Sequence, residues 1–129
     1  MALVIDLKPG EKILIGSAVI TNDNQRTRLH ISGEAPILRE KDVMQEDQAD
    51  TPCKKIYFLI QCMYIAKDPK IYHAKYFEKI REVQHAAPSL AGKLLSINEK
   101  ILNDTYYKAM KEARDLIKTE EEMIKNALR

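Results

Sequence analysis

Three residues with cationic or titratable side chains, Arg26, Arg28 and His30, stand at alternate positions in a segment with the composition of a β-strand. Successive side chains of a strand point to opposite faces, so these three share one face, while Leu29 and Ile31 lie on the other. The apolar face can join a core while the other presents two fixed cations and an imidazole. Such a surface suits a polyanion, and it favours RNA binding over catalysis.

The same alternation is also typical of the solvated face of an antiparallel sheet, where cations only increase solubility. Lys8, Lys12, Arg39 and Lys41 lie near turns or strand ends and would extend a basic patch if the fold brings them together. The chain has 21 basic and 19 acidic residues and a net charge of +2, so phosphate binding would depend on local clustering. The pattern alone leaves both interpretations open.

The sequence carries no motif for catalysis, a metal or a cofactor. His30, His73 and His85 lie in different segments without the spacing of metal ligands, and the four glycines never form a phosphate-binding loop. Cys53 and Cys62 lie in one predicted helix at a separation of about 13 Å, too far for a disulfide. We expect reduced thiols, no enzymatic activity, no metal and no cofactor.

The apolar content is arranged for a core rather than for a membrane. The longest apolar run lies within residues 56–66 and is interrupted by Gln61, which leaves it too short to span a bilayer. Residues 1–6 lack the basic leader and long apolar stretch of a signal peptide. We therefore expect a cytoplasmic protein without a membrane partner.

The elements that position these side chains change type along the chain. Residues 1–40 have the composition of strands, with a bend or bulge at Gly16. From residue 51 the apolar period is close to 3.6, and Thr51-Pro52 and Asp68-Pro69 are typical helix starts. We predict an α+β fold: a small antiparallel β-sheet over residues 1–40, then a helical lobe of about four helices. The expected segments are 1–50, which includes an acidic connector, and 51–129.

Two helical patterns allow more than one interpretation. Tyr72, Lys75, Tyr76 and Lys79 lie at helical spacing, and interleaved aromatic and cationic side chains can stack bases and hold phosphates. Tyrosines at this spacing more often pack into a core while lysines reach water, and we favour that interpretation. The apolar positions of the last helix either belong to a solvated helix or contact a partner helix.

Five runs of sequence are distinctive: MALVIDLKPGE at 1–11, ILIG at 13–16, RLHISG at 28–33, APILRE at 35–40 and TPCKKIY at 51–57. Together they resemble the FlbT family of flagellum biosynthesis repressors, and the resemblance extends over essentially the whole chain. It implies a post-transcriptional role, in which the protein associates with the 5′ untranslated region of flagellin mRNA and promotes degradation of that mRNA.

The first forty residues are also similar to the carbon storage regulator family of mRNA-binding repressors. The matching residues are Gly10-Glu11, Ile15-Gly16, Arg28-Leu29-His30-Ile31, Ala35-Pro36 and Arg39-Glu40. This similarity implies a strand-swapped homodimer in which Arg39 and residues of the first strand contact RNA. Two features depart from that family: Leu7-Lys8 replaces its basic pair, and the segment before Arg39 is shorter.

Residue pattern and resemblance together predict an RNA-binding surface that would hold flagellin mRNA through its 5′ untranslated region, in a protein expected to be a homodimer. Its members are Arg39, Arg28, Arg26, Lys8, Lys12, His30 and Ile5. In the alternative interpretation the helical lobe binds flagellin or another flagellar regulator, and the effect on mRNA is indirect. The surplus of apolar helix positions motivates this alternative.

Overall fold

The structure, a computed structural model, describes residues 3–128. The chain separates into two compact units, of which the first ends at Val43 and the second begins at Met44. This division lies earlier in the chain than the expected change at residue 51, because the acidic segment with the 3₁₀ helix Glu46–Gln48 belongs with the helices. The predicted α+β class is confirmed: strands occupy the first unit and four α-helices the second.

The sheet unit contains strands β1 to β5, which form two small antiparallel ladders. Their bounds are Leu3–Leu7, Lys12–Ile15, Ala18–Thr21, Thr27–Ile31 and Ile37–Arg39. One ladder pairs β1 with β4, and the other has the order β3-β2-β5. The core of the unit is a cluster of buried Ile5, Leu7 and Ile13.

The segment predicted to bend at Gly16 is a β-hairpin. β2 and β3 pair with each other across a turn formed by Gly16 and Ser17. Gly16 has a φ of +60°, a left-handed conformation that glycine adopts without steric cost. The glycine therefore reverses the chain instead of bending a single strand.

The helical unit contains α1 to α4, with the bounds Pro52–Ile65, His73–Ala86, Ala91–Leu102 and Tyr106–Ala127. α1 packs against α2 and α4, and α4 also packs against α3. All four helices contribute fully buried side chains to the core, for example Ile60, Tyr76, Ile97 and Leu116. None of the helices in the described part of the chain is long and apolar enough to cross a membrane.

The predicted helix starts are confirmed with one difference. The Thr51 side chain accepts a hydrogen bond from the Lys54 backbone N–H at 3.2 Å and so caps α1. After Asp68 the chain first makes a 3₁₀ turn, Pro69–Tyr72, and Asp68 makes no side-chain capping bond. Tyr76 is fully buried and donates a hydrogen bond to Asn98 Oδ1 at 2.7 Å, which confirms core packing for this tyrosine.

The two cysteines are free thiols, as predicted. Cys53 is buried and Cys62 is half-buried, both in α1. Burial, together with the neighbouring Glu120 carboxylate, raises the pKa of Cys53 to about 12. This thiol is therefore protonated at neutral pH and behaves as a small apolar core side chain.

Candidate nucleic-acid interface

The β1–β4 ladder confirms the alternation predicted from the sequence. Its register places Asp6 opposite Arg28 and Val4 opposite His30 on one face. Arg28 and His30 are exposed, while Leu29, between them, is half-buried against the core cluster. The ladder therefore has an apolar inner face and a charged outer face.

Asp6 and Arg28 form an ion pair across this outer face. Arg28 Nε donates a hydrogen bond to Asp6 Oδ1 at 3.0 Å, and the two side chains are 66% and 53% exposed, with Arg28 the more exposed. An exposed pair of this kind contributes little to stability, and salt weakens it. Its main effect is on the local charge pattern.

Two further arginines add positive charge near Asp6. Arg39 comes from β5, in the other ladder, and its Nη2 donates to the backbone oxygen of Asp6 at 3.3 Å. The hydrogen bond and charge of Arg28 lower the pKa of Asp6, and the charges of Arg26 and Arg39 lower it further. Arg28 and Arg39 thus contact Asp6 and Arg26 adds its charge nearby, and we call these three residues the arginine cluster.

An asparagine side chain fixes the end of the β1–β4 ladder that carries the cluster. Asn22 Nδ2 donates to the backbone oxygens of Leu7, Lys8 and Gln25 at 3.2, 2.9 and 2.7 Å. Asn22 Oδ1 accepts from Thr27 Oγ1 at 2.9 Å, at the first residue of β4. Asn22 is a typical turn residue by its type, and asparagine side chains commonly bond to nearby backbone groups in turns.

The predicted residues Lys8, Lys12 and His30 are exposed but are not part of this contact set. Lys8 follows the last residue of β1 and Arg26 precedes the first residue of β4, so both lie at the same end of the ladder. Lys12 is paired with Thr21 in the other ladder. Lys8 therefore borders the arginine cluster. His30 lies on the same outer face, two positions beyond Arg28, and Lys12 precedes Ile13, the residue paired with Arg39.

Ile5, a predicted member of the RNA-binding surface, has its side chain in the core of the sheet unit. Its side chain is only 5% exposed and lies in the core cluster. The reason is the alternation of β1 itself, which turns Ile5 and Leu7 inward and Asp6 outward. The Ile5 side chain is therefore turned into the core, and Asp6 takes the outward position beside it.

The arginine cluster has the chemistry of a phosphate or guanine site. A guanidinium carries five N–H donors in a planar fork, so Arg28 and Arg39 keep several donors after the bonds to Asp6. Such forks bind phosphate oxygens and the O6/N7 edge of guanine in a bidentate manner. Residues 3–128 contain no group of His, Cys, Asp and Glu side chains that could hold a metal ion.

The helical unit carries a separate groove of about 740 Å³. It is lined by Glu46, Ala49, Lys55, Phe58, Leu59, Cys62, Tyr72, Lys75, Glu78 and Lys79. Tyr72 and Lys75 of the interleaved pattern thus face this groove, while Lys79 also forms an ion pair with Glu82 at 3.1 Å. The lining mixes apolar and charged side chains.

Comparisons with known proteins agree on one family. The family described as "Flagellar protein FlbT" matches residues 3–124 of the chain. No solved structure matches the chain significantly.

Several curated proteins are similar over nearly the full length. The probable flagellum biosynthesis repressor protein FlbT 1 of Bradyrhizobium diazoefficiens is 47% identical over 95% of this chain and 85% of its own. The probable flagellum biosynthesis repressor protein FlbT of Rhodopseudomonas palustris is 44% identical over 96% of this chain and 98% of its own. The flagellum biosynthesis repressor protein FlbT of Caulobacter vibrioides is 33% identical over 96% of this chain and 90% of its own.

Proposed function

Because the chain belongs to the FlbT family of flagellar proteins, we propose that it represses flagellum biosynthesis by binding flagellin mRNA and promoting its degradation. The names of its relatives support the repressor role. The convergence of Arg28 and Arg39 on Asp6 from two ladders, with the charge of Arg26 nearby, is the single observation that supports RNA as the ligand.

The proposed mechanism is stoichiometric occupancy of the 5′ untranslated region. Arg28 and Arg39 contact phosphates or guanine edges, and Arg26 and Lys8 add positive field at the end of the ladder. Single-stranded loops are the favoured target, because the deep groove of an RNA duplex hides its base edges. No catalytic group is required, because cellular nucleases degrade the bound message.

The test is a gel-shift titration of the purified protein with a flagellin mRNA leader. If Arg28 and Arg39 read bases or phosphates, Arg28→Ala and Arg39→Ala each weaken binding by about 1–3 kcal/mol. Lys12→Ala removes a cation outside the arginine cluster and chiefly reduces the slope of log affinity against log salt, by about one. Arg81→Ala, which removes an exposed cation from α2, is the matched control. Wild-type affinity in both cluster variants would exclude this surface.

The homodimer implied by the carbon storage regulators remains a proposal with a structural rationale. Within the described residues β3 pairs only with β2, so its outer edge is open to another strand. Val19 and Ile20 on β3 are 64% and 39% exposed, and β3 has no charged residue. Edge strands with these properties pair readily with other chains. Sedimentation equilibrium of wild type and Val19→Lys tests whether this edge forms the dimer.

A second candidate function is protein binding by the helical unit. The groove between α1 and α2 supports it, because Phe58, Leu59 and Tyr72 line a concave surface large enough for an apolar side chain cluster. In that case flagellin or another flagellar regulator binds the helices and the effect on mRNA is indirect. A pull-down with purified flagellin in the presence of RNase separates the two candidates. Retained flagellin together with no affinity for the leader would favour the second.

A further inference from the structure

An acidic side chain occupies the middle of the proposed RNA surface, and neither the relatives nor the RNA-binding proposal assigns it a role. Asp6 is the counter-ion of Arg28 and lies within the field of Arg26 and Arg39. We propose that Asp6 is an intramolecular competitor for RNA phosphate, which keeps the arginine cluster from binding unrelated polyanions. This inference rests on the proposed RNA-binding function and concerns the selectivity of that same surface.

The geometry of β1 gives Asp6 this position. Its backbone is fixed by pairing with Arg28 and by the hydrogen bond that its oxygen accepts from Arg39 Nη2. The carboxylate therefore stays beside the guanidinium where a phosphate oxygen would bind. Because the surrounding arginines lower the pKa of Asp6, the carboxylate is charged at neutral pH.

The ion pair is exposed, so a stronger ligand can displace it. Exposed pairs are weak and screened by salt, and Arg28 and Asp6 are both more than half exposed. An RNA that contacts only Arg28 gains little, because it exchanges one anion for another and is repelled by Asp6. An RNA that also contacts Arg39 and Arg26 gains enough to open the pair. Asp6 therefore penalises weak ligands more than the specific leader.

A purely structural role predicts the opposite result. If the Asp6 carboxylate served only to hold Arg28 in a conformation that RNA recognises, its neutralisation would release Arg28 and weaken binding. Asp6→Asn separates the two roles, because the amide keeps the shape and an acceptor oxygen but loses the charge. The sign of the affinity change decides between them.

The experiment measures fluorescence anisotropy of full-length protein with two labelled probes, an oligouridylate and the flagellin mRNA leader. Asp6→Asn is expected to bind oligouridylate about threefold to tenfold more tightly than wild type at low salt, and the leader with a smaller gain. For the single-stranded oligouridylate, the slope of log affinity against log salt should be steeper by about 0.7 in Asp6→Asn than in wild type. Glu34→Gln, an exposed carboxylate in the same unit, is the charge-matched control and should leave both affinities unchanged.

A second background excludes a general charge effect. In an Arg28→Ala protein, Asp6 has lost its ion-pair partner, so adding Asp6→Asn should give at most half of the gain in oligouridylate affinity seen in the wild-type background.

Asp6→Ser removes the same charge with a smaller side chain and is used if Asp6→Asn fails to fold. Equal or weaker oligouridylate binding by the folded Asp6 variant overturns the inference. By contrast, wild-type leader affinity in Arg28→Ala and Arg39→Ala would overturn the proposed RNA function itself.

Discussion

At the scale of single residues, Asn22 has the largest structural effect on the candidate site. Its amide bonds to three backbone oxygens, two of them at the end of β1, and its oxygen accepts from Thr27 in β4. Asn22→Ala removes all of these bonds, while Lys8 O still accepts from the Glu11 N–H and Gln25 O from the Thr27 hydroxyl. We expect a loss of about 1–3 kcal/mol in the stability of the sheet unit, measured by hydrogen exchange of the β4 amides.

Asn24 provides the matched control for this prediction. It lies in the same turn, is exposed, and has no side-chain hydrogen bond in the described structure. In the Asn24→Ala variant, the β4 amides should therefore exchange hydrogen at the wild-type rate. Equal exchange in the Asn22 and Asn24 variants would mean that the turn holds its shape through the backbone alone.

The residues around Asp6 also mark how far the sequence could predict the site. Alternation along β4 suffices to predict that Arg28 and His30 share an exposed face, because it depends only on the local geometry of a strand. That Asp6 stands opposite Arg28 depends on the register of two strands far apart in the chain, which alternation does not determine. The convergence of Arg39 depends in addition on the other ladder.

At the scale of elements, the start of α1 depends on a side chain from α4. Glu120 accepts hydrogen bonds from the Thr51 hydroxyl and, at 3.1 Å, from the Cys53 backbone N–H. The first backbone N–H groups of a helix lack partners within it, and a carboxylate is favourable at this end. Glu120 thus completes the cap that Thr51 begins and ties the first helix to the last.

Glu120→Ala should consequently destabilise the helical unit. We expect a loss of about 1–2 kcal/mol, because the N–H of Cys53 and the hydroxyl of Thr51 both lose their acceptor. Urea unfolding followed by far-UV circular dichroism measures the change. Glu121→Ala removes an exposed carboxylate from the next position of α4 and should have little effect. A similar loss in both variants would attribute the effect to helix charge instead of the cap.

The elements themselves were predictable to different degrees. Thr51-Pro52 carries its cap in adjacent residues, so the start of α1 follows from local sequence. The hairpin at Gly16 was ambiguous, because glycine is equally typical of a bulge and of a tight turn. Only pairing of β2 with β3 distinguishes these outcomes, and that pairing also leaves β5 to join the other side of β2. Tertiary contacts decide such cases.

At the scale of the whole molecule, the division near residue 43 separates two kinds of core. The core of the helical unit is drawn from all four helices and includes Ile60, Tyr76, Ile97 and Leu116. The sheet unit has a smaller core, centred on Ile5, Leu7 and Ile13, and its length is close to the size below which domains usually need further stabilisation. The two units should therefore differ in their ability to fold alone.

A fragment of residues 44–129 tests both this difference and the location of the RNA surface. We expect it to fold, with a helical circular dichroism spectrum and cooperative urea unfolding, because its core lies among its own helices. Since the arginine cluster lies in the sheet unit, the folded fragment should show no affinity for the flagellin mRNA leader in the gel-shift titration that detects the full chain. Binding of the leader by the fragment would place the RNA surface on the helices. Binding of purified flagellin but not of the leader would support the protein-binding function.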